Sequence, residues 1–131
     1  SPDIAKLMDI YKVRYECSGW VPFESWPHIV SSFDIGIAPL SGVYDDRRSS
    51  LKCIEYGMAS IPSVVTDASP YDDALGCIKV RNKPKDWEHA IASLIDDNEK
   101  WRTLATLGYA WVSRMIREAV PTYEKALGIS V

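Results

Sequence analysis

Cysteine and histidine are scarce in this chain, with three of the first and two of the second. Cys17, Cys53 and Cys77 are scattered, odd in number and set in segments that read as buried. They therefore read as reduced thiols of a cytoplasmic protein rather than a disulfide framework. His28 and His89 have no cysteine or carboxylate at ligand spacing, so no metal site is expected and both read as helix-surface residues. Excess basic charge is also missing: the formal net charge is −3, which gives no electrostatic footprint for nucleic acid or for an anionic membrane surface. Nor is there an apolar run near the ~20 residues of a membrane span, or the apolar stretch of a signal peptide at the start. Internal repeats, low-complexity tracts and flexible linkers are absent too.

What remains is the composition of one soluble globular domain over 1–131, with 47% hydrophobic and 25% charged residues, enough for a sizeable core. Short β-rich runs recur at Val13 to Cys17, Ile35 to Pro39, Ser63 to Thr66 and Cys77 to Val80, and helical patterns fill the gaps. Strands alternating with helices predict an α/β fold: a partial doubly wound, Rossmann-like parallel sheet of about four strands with flanking helices. Ser25-Trp26-Pro27 opens one helix, with Ser25 or its neighbour as cap and Pro27 in the first turn, and Ile29, Val30 and Phe33 supply its apolar face. A helix from about Ser49 is expected to bury Leu51, Ile54 and Met58, with Cys53 beside them. Gly57 permits either close packing or an early weakening of that helix.

Beyond Val80 the chain turns helical. Trp87, Ala90, Ile91, Leu94 and Ile95 make one stripe, and Trp101, Leu104, Leu107, Ala110, Trp111, Met115 and Ile116 continue it. Pro121 is expected to open a last short helix to about Leu127. Residues 3 to 11 read as a helix feeding the first strand, so the chain enters in the middle of a βα unit. A sheet of this kind has about five or six strands, and the expectation is a fragment that lacks an upstream strand, loop, helix and partner domain.

The most informative stretch runs from Asp45 to Thr66. A polar loop with Ser49 and Ser50 enters an amphipathic helix that stops before a β-branched strand. Amides freed at a helix start, together with the positive end of its dipole, suit a phosphate. Glu55 lies roughly 7.5 Å further along the axis, with its side chain leaning back toward the start. A nucleotide spans a similar distance from diphosphate to ribose.

The order Gly19-Trp20-Val21-Pro22, helix, Phe33 to Leu40, a Ser-Ser-Leu-Lys-x-x-Glu-Tyr helix and Ile61 to Asp67 resembles the C-terminal, donor-binding domain of GT-B glycosyltransferases. The nearest likeness is to the retaining group 1 (family 4-like) sugar transferases, over about Tyr15 to Ile116. The resemblance implies a parent hexosyltransferase that moves a sugar from a nucleoside-diphosphate donor of UDP or GDP type, with no further cofactor. The acceptor would be held by an N-terminal domain outside this chain, and the parent would be cytoplasmic or peripheral at the inner membrane. Glu55 matches the second of two family glutamates and is implied to accept hydrogen bonds from ribose hydroxyls. The first glutamate falls at Arg47, and a guanidinium cannot accept hydrogen bonds from a sugar but can pair with phosphate. Ser60 stands where the family carries glycine.

On this reading Ser49, Ser50 and Leu51 give amides to the diphosphate, Trp20 and Val21 face the base, and Arg47 and Lys52 assist the departing diphosphate. Each residue also has a plainer role. Ser50 can be a simple cap, Lys52 the i+3 partner of Glu55, Trp20 a core aromatic, and Asp45 and Asp46 a solvated loop. Pro39, Leu40, Ser41, Asp67, Ser69 and Tyr71 follow strands and can line the same crevice, although Ser69-Pro70 also suits a turn. Trp87, Trp101 and Trp111 read as core. The alternative to an enzyme domain is a non-catalytic nucleotide-binding or protein-interaction module, which Arg47 favours.

Overall fold

A computed structural model describes residues 2–17, 19–43 and 45–129. Its helices are α1 (Pro2–Ile10), α2 (Trp26–Val30), α3 (Leu51–Met58), α4 (Pro84–Asp96) and α5 (Asn98–Leu127). Its strands are β1 (Gly36–Ala38), β2 (Ser63–Thr66) and β3 (Cys77–Val80). The three strands pair in parallel in the order β1-β2-β3, with Ile37 opposite Val64 and Val65 opposite Lys79. All four residues of β2 are buried, as expected for a central parallel strand covered on both faces.

Side-chain alternation along β2 divides the core. Val65 faces a cluster with Val30, Cys53, Tyr56, Tyr71, Trp111 and Val112, formed beneath α2, α3 and α5. Val64 faces the other way, toward Val80, Ala90 and Leu94, with Trp101 and Leu104 packed alongside. The fold is thus an α/β sandwich with the sheet in the middle. The Trp101 indole N–H donates to the Asp34 carbonyl at 2.7 Å and so ties the start of α5 to the entry of β1.

Four expectations are corrected. Val13 to Cys17 forms no strand, and its side chains, Cys17 included, are exposed; alternation alone does not hold a strand without a neighbour to take its backbone hydrogen bonds. The buried face of α3 is Cys53, Tyr56 and Gly57, whereas Leu51 and Met58 are 53% and 58% exposed. Pro121 lies inside α5 rather than at the start of a new helix. Proline removes one intrahelical bond, but this one is exposed and the turn around it is held by Thr122 Oγ1 donating to the Glu118 carbonyl at 3.3 Å. Along α4 and α5 the buried arc is Ala90, Leu94, Ala105, Gly108, Trp111 and Val112, while Ile95, Leu107, Ala110 and Ile116 are exposed.

The end of α3 is a Schellman turn. Ile61 N–H donates to the Tyr56 carbonyl at 3.0 Å and Ser60 N–H to the Gly57 carbonyl at 3.0 Å, with Ser60 at φ 56°. That left-handed position favours glycine, and an L-residue there is strained. Ser60→Gly is therefore expected to raise stability by about 1 kcal/mol, read as a higher urea midpoint with an unchanged slope.

Candidate functional site

In a β1-α3-β2 crossover the helix runs antiparallel to the strands, so α3 begins at their carboxyl ends, where open α/β sheets bind ligands. The approach to α3 is a 3-10 turn, Asp45–Arg47, followed by Arg48 to Ser50. Asp45 organises this loop: one carboxylate oxygen accepts from Ser41 N–H at 2.7 Å and the other from Arg48 Nε at 3.0 Å. Ser50 is the N-cap by position, and its carbonyl accepts from Ile54 N–H at 3.1 Å, but its side chain makes no capping bond. The amides of the first turn have no intrahelical acceptor by construction.

Lys52 and Glu55 sit one turn apart on α3. Lys52 Nζ donates to Glu55 Oε2 at 2.8 Å and lies 4.9 Å from the centroid of the Trp26 ring. Lys52 is thus the i+3 partner of Glu55 and also makes a cation–π contact. Beside this trio, a cavity of about 190 Å³ opens between α2 and α3, walled by Trp26, Pro27, Val30, Met58 and Glu55. In the sequence Trp26 registers only as part of a helix start.

A second hollow of about 190 Å³ lies at the strand ends, lined by Leu40, Asp45, Thr66, Asp67 and Asn82 among others. Its walls are stitched together by hydrogen bonds. Thr66 Oγ1 accepts from Leu40 N–H at 2.8 Å and donates to Asn82 Oδ1 at 2.9 Å, while Asn82 Nδ2 donates to the Leu40 carbonyl at 2.6 Å. Asn82 was also missed, and the available signal was its place just after the third strand.

Arg47, Ser49, Leu51, Trp20 and Val21 line neither hollow. Arg47 and Ser49 are exposed on the loop, Leu51 is exposed at the start of α3, and Val21 is half-buried. The side chain of Asp46 lies outside the described residues. Trp20 is fully exposed, so it is no core aromatic, and no hydrogen bond or ring contact among the described residues ties it to α3. Tyr71 is 2% exposed within the core and cannot line a crevice. Its burial pushes the phenol up to about 12. The Cys53 thiol is pushed far up by its hydrogen bond with Cys77 and by burial, which makes it a poor nucleophile.

No family model, curated protein or solved structure matches this chain. Among the described residues, no helix is long and apolar enough to cross a membrane.

Proposed function

We propose that this chain is the donor half of a glycosyl-transfer enzyme, binding a nucleoside-diphosphate sugar at the start of α3. The observation that carries the reading is the arrangement along α3: a helix start at the strand carboxyl ends whose Ser50 side chain makes no capping bond, and Glu55 facing the cavity beside Trp26. The sequential parallel order of β1, β2 and β3 fits one half of a doubly wound nucleotide-binding sheet. Amides at the helix start, with Arg47 and Lys52, would stabilise the charge that builds on a departing diphosphate. Glu55 would exchange its bond with Lys52 for the ribose hydroxyls, freeing the ammonium for phosphate. The strand-end hollow at Leu40, Thr66 and Asn82 has the polar lining a sugar needs.

Calorimetric titration with UDP and with GDP tests this reading. One of the two is expected to bind, and Glu55→Ala to weaken that binding by about 1–3 kcal/mol, the range for losing the partner of a desolvated polar group. The urea midpoint should stay put, because Glu55 is only half-buried and its surface ion pair contributes little. No heat from either nucleotide at millimolar concentration overturns the proposal. Arg47, in place of a sugar-contacting glutamate, favours a second reading in which the domain binds nucleotide without catalysis. A nucleotide sugar that binds no better than its bare diphosphate would point there.

A further inference from the structure

Among the described residues, the last turns of α5 carry an exposed apolar seam. Ile116, Val120, Tyr123 and Leu127 are 47%, 48%, 67% and 68% exposed. Their spacing alternates between four and three residues, which keeps all of them on one narrow stripe, the seam of a two-stranded coiled coil. The stripe covers about 16 Å of helix. Glu118 lies on the opposite, solvent face, where it pairs with Arg114 at 3.8 Å, and Pro121 and Lys125 point outward with it.

The flanks of the stripe say what covers it. Ala119 and Ala126 border one side, and Arg117 and Glu124 border the other. In an antiparallel pair of identical helices, like flanks meet across a twofold axis. With the axis between Val120 and Tyr123, Ile116 packs on the partner's Leu127 and Val120 on the partner's Tyr123. At the same register Arg117 faces the partner's Glu124 along the same flank, two residues or roughly 3 Å from level and within reach of two long side chains, and the symmetry makes that ion pair twice. The alanine flanks meet on the other side and let the helices approach closely. A parallel pair would instead set each charge against an alanine.

We infer that the end of α5 is a homodimerisation surface whose occupant is the antiparallel α5 of a second copy. This inference is independent of the nucleotide site, since none of these residues lies on α2, α3 or the strand-end loops.

Sedimentation of the chain over a range of concentrations tests it, with the apparent mass expected to rise from monomer to dimer. Arg117→Glu and Glu124→Arg each turn two attractions into two repulsions, an expected weakening of about tenfold in dissociation constant. The double variant, with both reversals, restores the dimer. Val120→Glu abolishes it while leaving the circular dichroism of this exposed helix face unchanged. A chain that stays monomeric at every concentration overturns the inference, as does a dimer indifferent to the two single reversals.

Discussion

Gly76→Ala is expected to cost about 3–5 kcal/mol, a large share of the roughly 5–15 kcal/mol that holds a domain together. Two effects combine there. Gly76 has φ +76°, where an L-residue loses roughly 1–2 kcal/mol. A methyl group would also run into the Gly108 Cα, and would sit 2.6 Å from the Gly108 nitrogen and 2.7 Å from the Leu104 carbonyl oxygen. These are backbone atoms of a packed helix and have no rotamer to escape into. Gly76 also sets the register of β3, since its carbonyl accepts from Ser63 N–H at 3.2 Å.

Gly57 and Gly108 make the same crossing, and they separate the two effects. A methyl on Gly57 would meet Val112 Cγ2 at 2.7 Å and the Gly108 carbonyl oxygen at 2.9 Å, so overpacking alone predicts about 1–3 kcal/mol. A methyl on Gly108 would find its nearest neighbours at 3.4 to 3.7 Å, which is ordinary contact. In mid-helix that alanine regains up to about 1 kcal/mol of propensity, so Gly108→Ala is expected to be neutral or stabilising. Urea midpoints ranked Gly76→Ala lowest, then Gly57→Ala, with Gly108→Ala at or above the parent, would establish the crossing. Any other order would refute it.

This crossing also explains where the sequence was legible. The bounds of Ser63 to Thr66 and Cys77 to Val80 are legible to the residue: the first is a β-rich run that fits a central strand buried on both faces, and the second, half-buried at the sheet edge, is bounded by Gly76 before it and a polar turn after it. The helical stretch after Val80 followed from its period. The facing of α3 did not, because Leu51, Ile54 and Met58 satisfy helical spacing as well as Cys53, Tyr56 and Gly57 do. What rotated the helix was a tertiary choice: Gly57 against Gly108, and the Tyr56 ring over Gly36, where a methyl would lie 2.5 Å from it. The Tyr56 hydroxyl then donates to the Ile37 carbonyl at 3.1 Å. No local pattern encodes a glycine contact between residues so far apart in the chain.

The same rotation shaped the site. It brought Glu55 and Met58 out toward α2 and so created the cavity beside Trp26. Glu55 and Lys52 were legible because cap, helix and charge are local. Trp26 and Asn82 were not, because each acts through a neighbour distant in sequence.

Trp111→Ala is the second large effect, expected at about 3–5 kcal/mol. Trp111 is 6% exposed and packs in the cluster that holds Cys53 and Tyr56, the buried face of α3. Its loss opens a cavity under the helix that carries Glu55, and a backbone so tightly crossed through glycines cannot collapse to fill it. The consequence for binding differs in kind from that of Glu55→Ala. On the proposed function, truncating Glu55 leaves the fold intact and removes a ligand contact, so affinity is expected to fall while the urea midpoint holds. Truncating Trp111 lowers the midpoint, and under conditions where the variant remains folded its nucleotide affinity should match the parent's, because no part of Trp111 reaches the cavity. Measuring both variants by urea denaturation and calorimetry separates the two roles. Affinity lost in the folded Trp111 variant would mean that α3 is positioned by the core beneath it, and not by its own loop and cap alone.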